Sequence, residues 1–228
     1  MINKIVESLQ AAVAGIKDGA TIMIGGFGGP GIPNELIDAL IQQGASDLTI
    51  VTNNAGSGEI GLAALLKVGR VRKLICSYPR QVNSHIFDGL YRAGKIELEL
   101  VPQGNLVERI RAAGAGIGGF YTRTGYNTEL AKGKETRLIG DHHYVLESPI
   151  HADVALIKAE KSDRWGNLVY RKVARNFGPV MATAAKCTIV QVYEIVELGT
   201  LDPETIVTPG IFVTRVVKVD RANERAEA

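Results

Sequence analysis

Apolar positions along the 228-residue chain switch period several times, and each switch marks an element. Ile5, Leu9, Val13 and Ile16 recur at helical spacing with Gly19 as a stop, so the chain is predicted to open on an amphipathic helix. The burst "TIMI" at 21–24 reads as a short buried strand. Pro33 is placed at the first position of a helix whose core face is Leu36, Ile37, Leu40 and Ile41, with Gly44 past its end. "LTIV" at 48–51, "KLICSY" at 73–78 and "IELELVPQG" at 96–104 are further strands, the last ending at Pro102. Between them "GLAALLKVG" at 61–69 and "SHIFDGLYRAG" at 84–94 are helical. Asn105 with Glu108 three residues on forms an Asx version of the capping box and opens "LVERIRAAG". Strands and helices alternating at this spacing predict an open, mostly parallel, doubly wound α/β sheet with helices on both faces.

After Gly114 no period is sustained, which predicts a small excursion from the main sheet. "YVLE", "DVALIKA" and "LVYRKVA" then supply strands, "GPVMATAAK" a helix begun by proline, and "CTIVQVYEIV" and "IFVTRVVKV" two late strands. Residues 1–219 are expected to form the domain, and 220–228, "DRANERAEA", a disordered tail.

Composition narrows the function. With 26 basic and 24 acidic residues the net charge is +2, without the concentrated basic face of a nucleic-acid protein. No apolar run approaches the roughly 20 residues of a membrane span. Glu7 interrupts the N-terminal pattern, which lacks the apolar core of a signal peptide. Cys76 and Cys187 are isolated and need no bridge, so a reduced cytoplasmic setting is expected. His85, His142, His143 and His151 stand at no recognisable ligand spacing, so no metal is expected.

Glycine is informative because it clusters. Within Gly25, Gly26, Phe27, Gly28, Gly29, Pro30 and Gly31, three glycines match G-x-G-x-x-G. The loop follows a strand and precedes a helix, a context that favours an anionic or carbonyl-bearing ligand. A nicotinamide loop also needs an acidic residue about 20 positions on. Asn53 and Asn54 stand there instead, and Pro33 starts the helix only after the last glycine. No Gly-Lys-Ser/Thr follows, which excludes a Walker A loop. Gln103 ends another predicted strand on the same edge, where a side-chain amide can donate to an oxygen gaining charge. The basic run "RKVAR" at 171–175 is either a strand's exposed face or a phosphate contact. Ser57 lacks the G-x-S-x-G elbow, and Glu59, Glu97, Glu99 and Glu147 have no paired acid, so most read as solvated. The chain offers binding loops and an oxyanion donor, but no evident nucleophile.

"IMIGGFGGPGIP" contains Gly-Gly-Phe-x-x-x-Gly-x-Pro and resembles the first signature of the 3-oxoacid CoA-transferases. "TNNAG", "VPQGNLVERIRAAGAGIGGFYTRTG" and "DRWGNLVYRKVARNFGP" are similar to further blocks of that family in the same order, specifically of its A (alpha) subunit. The resemblance implies the family's open α/β fold of the ribose-phosphate isomerase type. It implies transfer of CoA from succinyl-CoA to a 3-oxoacid, with 3-oxoadipate as the acid favoured and acetoacetate or acetate as the alternative. In the family a glutamate in a Ser-Glu-Asn-Gly motif attacks the acyl-CoA. That motif is absent here, so the resemblance implies a B (beta) subunit that carries it, commonly as A2B2. By the same resemblance, residues 25–31 meet CoA and Gln103 is the oxyanion donor. Asn53, Asn54, Gly116, Gly118 and Gly119 line the acid pocket. The CoA thioester is a substrate, and no permanently bound cofactor is expected. A stand-alone sugar-phosphate isomerase or sensor of the same fold is the reading from another class.

Overall fold

The short apolar bursts become the parallel strands of one sheet. The computed structural model describes residues 2–221, so most of the proposed tail at 220–228 lies outside the described residues. In chain order the strands of this sheet are β1 (Thr21–Ile24), β2 (Leu48–Val51), β3 (Val71–Cys76) and β4 (Glu97–Leu100). A small antiparallel sheet follows, made of β5 (Phe120–Thr122), β6 (Thr136–Ile139) and β7 (His142–Glu147). The chain then returns as β8 (Ala152–Ser162), β9 (Leu168–Val169), β10 (Ala185–Ile195) and β11 (Arg215–Lys218). The large sheet runs β11-β10-β8-β1-β2-β3-β4, all parallel, with β9 antiparallel on β8. The expected doubly wound sheet and the excursion after Gly114 are both present.

Period 2 along the strands decides which helices each face receives. Ile22, Ile24, Leu48, Ile50, Leu74, Val154 and Leu156 point to one face. There they meet α1 (Leu9–Val13), α2 (Asn34–Gln43), α3 (Gly61–Lys67) and α4 (His85–Arg92). Met23, Val51, Ile75, Ala155 and Ile157 point to the other face, against α5 (Gln103–Gly114) and α6 (Gly178–Ala184). Leu36, Ile37 and Leu40 of α2 are fully buried, each contributing about 1.5–3 kcal/mol of apolar burial. Pro33 offers α2 no side-chain cap. The buried Gln191 of β10 fills that role from 155 positions away, accepting from the Leu36 N–H at 3.1 Å. Gly44 ends the helix at φ 99°, a left-handed conformation that a side chain would strain.

Several boundaries differ from the sequence reading. The first helix is only Leu9–Val13, begun by Ser8, whose Oγ accepts from the Ala11 N–H at 3.1 Å. Ile5 instead pairs with Val216, so this segment extends the sheet beyond β11 and covers its edge. Gln103 does not end a strand: β4 stops at Leu100 and Gln103 is the first residue of α5. Asn105 is therefore inside the first turn, and Pro102 precedes the helix. Only Leu168–Val169 of "LVYRKVA" is strand, and Lys172–Arg175 forms a 3₁₀ turn. Both cysteines are free, and burial, only partly offset by a backbone hydrogen bond from Tyr78, pushes the Cys76 thiol up to about 12.

Candidate functional site

Strand order sets the location of the site. From β1 the chain winds outward through β2 and β3 to β4, then returns to β8 on the other side of β1. The order reverses between β1 and β8, and in open α/β sheets ligands lie beyond the carboxyl ends of strands at such a point. Residues 25–31 leave the carboxyl end of β1 there. The Gly25 N–H donates to the Leu156 carbonyl of β8 at 3.0 Å, and the Phe27 N–H closes the turn on the Pro30 carbonyl at 3.1 Å.

The glycines in this turn fall into two kinds. A Cβ at Gly26 would lie 2.5 Å from the Ile32 side chain, and one at Gly31 would lie 2.7 Å from the Ala174 carbonyl. These two are bare because protein packs on them. A Cβ at Gly28 would meet nothing nearer than 3.9 Å, and one at Gly29 nothing within 4 Å. Their bareness has no packing explanation, and they present backbone outward beside the half-exposed Phe27. Gly28 sits at φ 63°, so a β-branched residue there is strained even with space around it.

Asn53 and Asn54 also lie beyond a strand end, that of β2, and both are buried. Asn53 Oδ1 accepts from Ser77 Oγ at 2.7 Å, and its carbonyl accepts from the Ser77 and Tyr78 N–H groups. Asn54 Oδ1 accepts from the Gly56 N–H at 2.9 Å. The two side-chain oxygens thus tie the ends of β2 and β3 together and shape the turn into α3.

Gln103 is exposed at the start of α5, where the helix presents its positive end to the same edge. Its amide makes no hydrogen bond among the described residues and opens into a hollow shared with Phe120, Thr122 and Thr124. Three strand spacings separate β1 from β4, roughly 14 Å along the edge. Glycine turn and amide therefore suit the two ends of an elongated ligand better than one small molecule. Gly116, Gly118 and Gly119 follow the C-terminal end of α5, and the chain then runs back past Glu147, where a Cβ at Gly119 would lie 3.2 Å from the carbonyl, to Phe120 in the hollow shared with Gln103.

Sequence reasoning missed what holds Gln103 in place. Asn105, two residues on, is buried, and its Nδ2 donates to Glu147 Oε1 at 3.2 Å. Lys134 Nζ reaches the same oxygen at 2.7 Å, and Arg109 Nε lies 3.7 Å from Glu147 Oε2. Glu147 is 3% exposed, so it is not solvated as its isolation in sequence implied. Glu99 is also engaged, by Arg109 and Lys73, each at 2.9 Å. Burial alone would raise its carboxyl, but the hydrogen bonds from Lys73 and Arg109 outweigh that and hold it below the usual range. The Asn-x-x-Glu spacing at 105–108 marked a helix start and concealed the long-range partner of Asn105.

Carboxylates near the carboxyl edge are paired as well. Glu59 meets Lys67 at 2.7 Å, and that hydrogen bond lowers its pKa. Glu160 is bound by Arg221. Among the described residues no group of three His, Cys, Asp or Glu side chains is placed to hold a metal. No described helix is long and apolar enough to cross a membrane.

Comparison with known proteins fits this geometry. The coenzyme A transferase family model matches residues 6–219. The chain is 69% identical over 222 residues to the alpha subunit of 3-oxoadipate CoA-transferase from Pseudomonas putida, covering 97% of this chain and 96% of that one. It is 49% identical over 226 residues to the alpha subunit of a probable succinyl-CoA:3-ketoacid coenzyme A transferase from Bacillus subtilis, covering 99% and 94%. Among solved structures, an acyl-CoA transferase apoenzyme from Escherichia coli O157:H7 superposes with a TM-score of 0.82 at 26% identity. That match covers 96% of this chain and 47% of the other, so the chain spans about half the length of that enzyme.

Proposed function

The chain belongs to the coenzyme A transferase family, and from that premise we propose that it is the alpha subunit of a two-subunit enzyme moving CoA from succinyl-CoA to 3-oxoadipate. The observation that carries the acid is the 69% identity to the Pseudomonas putida protein across nearly the whole chain. Succinyl-CoA lies along the carboxyl edge of the sheet, its arm against the bare backbone of Gly28 and Gly29. Its thioester carbonyl lies near Gln103, whose amide donates to the oxygen as charge develops there. Asn53 and Asn54 support that edge.

The nucleophile, a glutamate in a Ser-Glu-Asn-Gly motif, comes from the beta subunit. Two alpha and two beta subunits form the assembly. The ion pairs of Glu59, Glu147 and Glu160 within this chain support that division of labour. So does a row of exposed apolar side chains on three successive loops at the same edge: Phe27, Ile60, Tyr78 and Val82, the last 82% exposed. Large apolar side chains exposed on neighbouring strand-end loops are the kind of surface that a protein partner would cover.

The acid is tested by rate. With its beta subunit, the chain should give a kcat/KM for 3-oxoadipate at least tenfold above that for acetoacetate. The reverse order assigns it to an acetoacetate transferase. The loop is tested by Gly28→Val. Strain at φ 63° on an open backbone should raise the KM for succinyl-CoA about tenfold or more while leaving the KM for the acid in place. An unchanged CoA-ester KM reduces the loop to a turn.

A further inference from the structure

A second concave feature sits on the other side of the glycine turn from Gln103. Along the carboxyl-terminal halves of β8 and β10 a cavity of about 170 Å³ is lined by Pro30, Lys158, Arg171, Lys172, Tyr193 and Arg221. Four cations converge there. One carboxylate, Glu160, shares the lining and is engaged by Arg221. Lys158 and Arg221 are held over the Tyr193 ring, 5.2 and 4.3 Å from its centroid. Arg171 and Lys172 are exposed and make no side-chain contact with another charged group among the described residues.

The turn that carries these two is fixed to the glycine loop. Asn176 Nδ2 donates to the Pro30 carbonyl at 3.0 Å and to the Val173 carbonyl at 2.8 Å. Gly31 packs directly on Ala174. Lys172 is held at φ 50°, a conformation that lysine rarely adopts and that the surrounding contacts must enforce. The cavity is small for a whole nucleotide and of a size for a phosphate group with its water. A ring of cations with little competing carboxylate is the chemistry that recognises phosphate.

We infer that this cavity binds a phosphate of the nucleotide end of the CoA ester, with Arg171 and Lys172 as its direct contacts. The inference rests on the CoA-transferase reading and deepens it. From β8 to β4 the edge spans four strand spacings, roughly 19 Å, with the glycine turn between the cavity and Gln103. One extended thioester then has its phosphates at one end, its arm over Gly28 and Gly29, and its reacting carbonyl at the other. Of the two meanings open to the basic run in the sequence, the structure removes the strand and keeps the phosphate contact.

The test is the double substitution Arg171→Gln with Lys172→Gln in the complex with the beta subunit. The KM for succinyl-CoA should rise at least about tenfold, the loss expected when charge-assisted contacts to an anion are removed. The KM for the 3-oxoacid, and that for succinyl-pantetheine, which lacks the nucleotide phosphates, should not move. Equal losses with both donors would mean that the turn only supports the glycine loop, and would overturn the inference. An unchanged KM for succinyl-CoA would do the same. Competition separates the sources of phosphate. Adenosine 3′,5′-bisphosphate should compete with succinyl-CoA at lower concentration than inorganic phosphate does, and the reverse order assigns the cavity to a free anion and overturns the inference. Should the wild-type pair transfer no CoA, the enzymatic reading fails while the cavity is still read directly. Titration of adenosine 3′,5′-bisphosphate should then show binding to the wild-type chain that the double variant has lost. No binding by the wild type overturns the site.

Discussion

Replacing Gln103 by alanine in the assembled enzyme is expected to lower kcat for CoA transfer by about a hundred- to a thousandfold. Loss of one preorganised donor to a developing oxyanion typically costs about 3 kcal/mol of transition-state stabilisation. The amide is free to make this contact because no described residue occupies it, and the start of α5 aims it at the carboxyl edge. Because the side chain is exposed, its removal should leave the thermal midpoint where it was. KM for succinyl-CoA should change little, since the contact strengthens only as charge moves onto the carbonyl oxygen. A variant that retains wild-type kcat would remove Gln103 from the chemistry.

The second large effect concerns stability. Glu147→Ala should destabilise the chain by about 3–5 kcal/mol, the usual cost of breaking a buried ion pair from one side. It leaves Lys134 without its 2.7 Å partner and the buried Asn105 amide short of an acceptor. For a domain of this size that corresponds to a fall of roughly 6–20 °C in the midpoint, measured by calorimetry. Glu59→Ala is the matched control, since Glu59 meets Lys67 in open solvent and its loss should leave the midpoint within error. Equal midpoints for the two variants would show that the Glu147 network does not hold the small sheet to α5.

Both residues also mark where the sequence was legible and where it was not. Strand positions were readable because fully buried parallel strands are short apolar runs, as in "TIMI" and "LTIV". Parallel direction followed from strand–helix alternation, and Gly44 marked the end of α2 because only a left-handed conformation closes that helix cheaply. The glycine turn was found because its residues stand together in sequence. The Glu147 cluster was not, since its members at 105, 109, 134 and 147 meet only after the excursion folds back on α5. Ile5 had helical spacing yet pairs with Val216, because an open sheet edge supplies hydrogen bonds that a marginal helix end does not. Gly116, Gly118 and Gly119 were grouped with the pocket by family resemblance, and they form the connection between the end of α5 and Phe120 at the start of β5.

The most direct test of the central claim is reconstitution. The purified chain, supplied with succinyl-CoA and 3-oxoadipate, should form no 3-oxoadipyl-CoA above the uncatalysed background. Addition of a separately purified beta subunit carrying the Ser-Glu-Asn-Gly glutamate should start transfer. The same beta subunit with that glutamate changed to alanine should not. Robust transfer by the chain alone would contradict the claim, because the nucleophile would then have to lie among its own carboxylates.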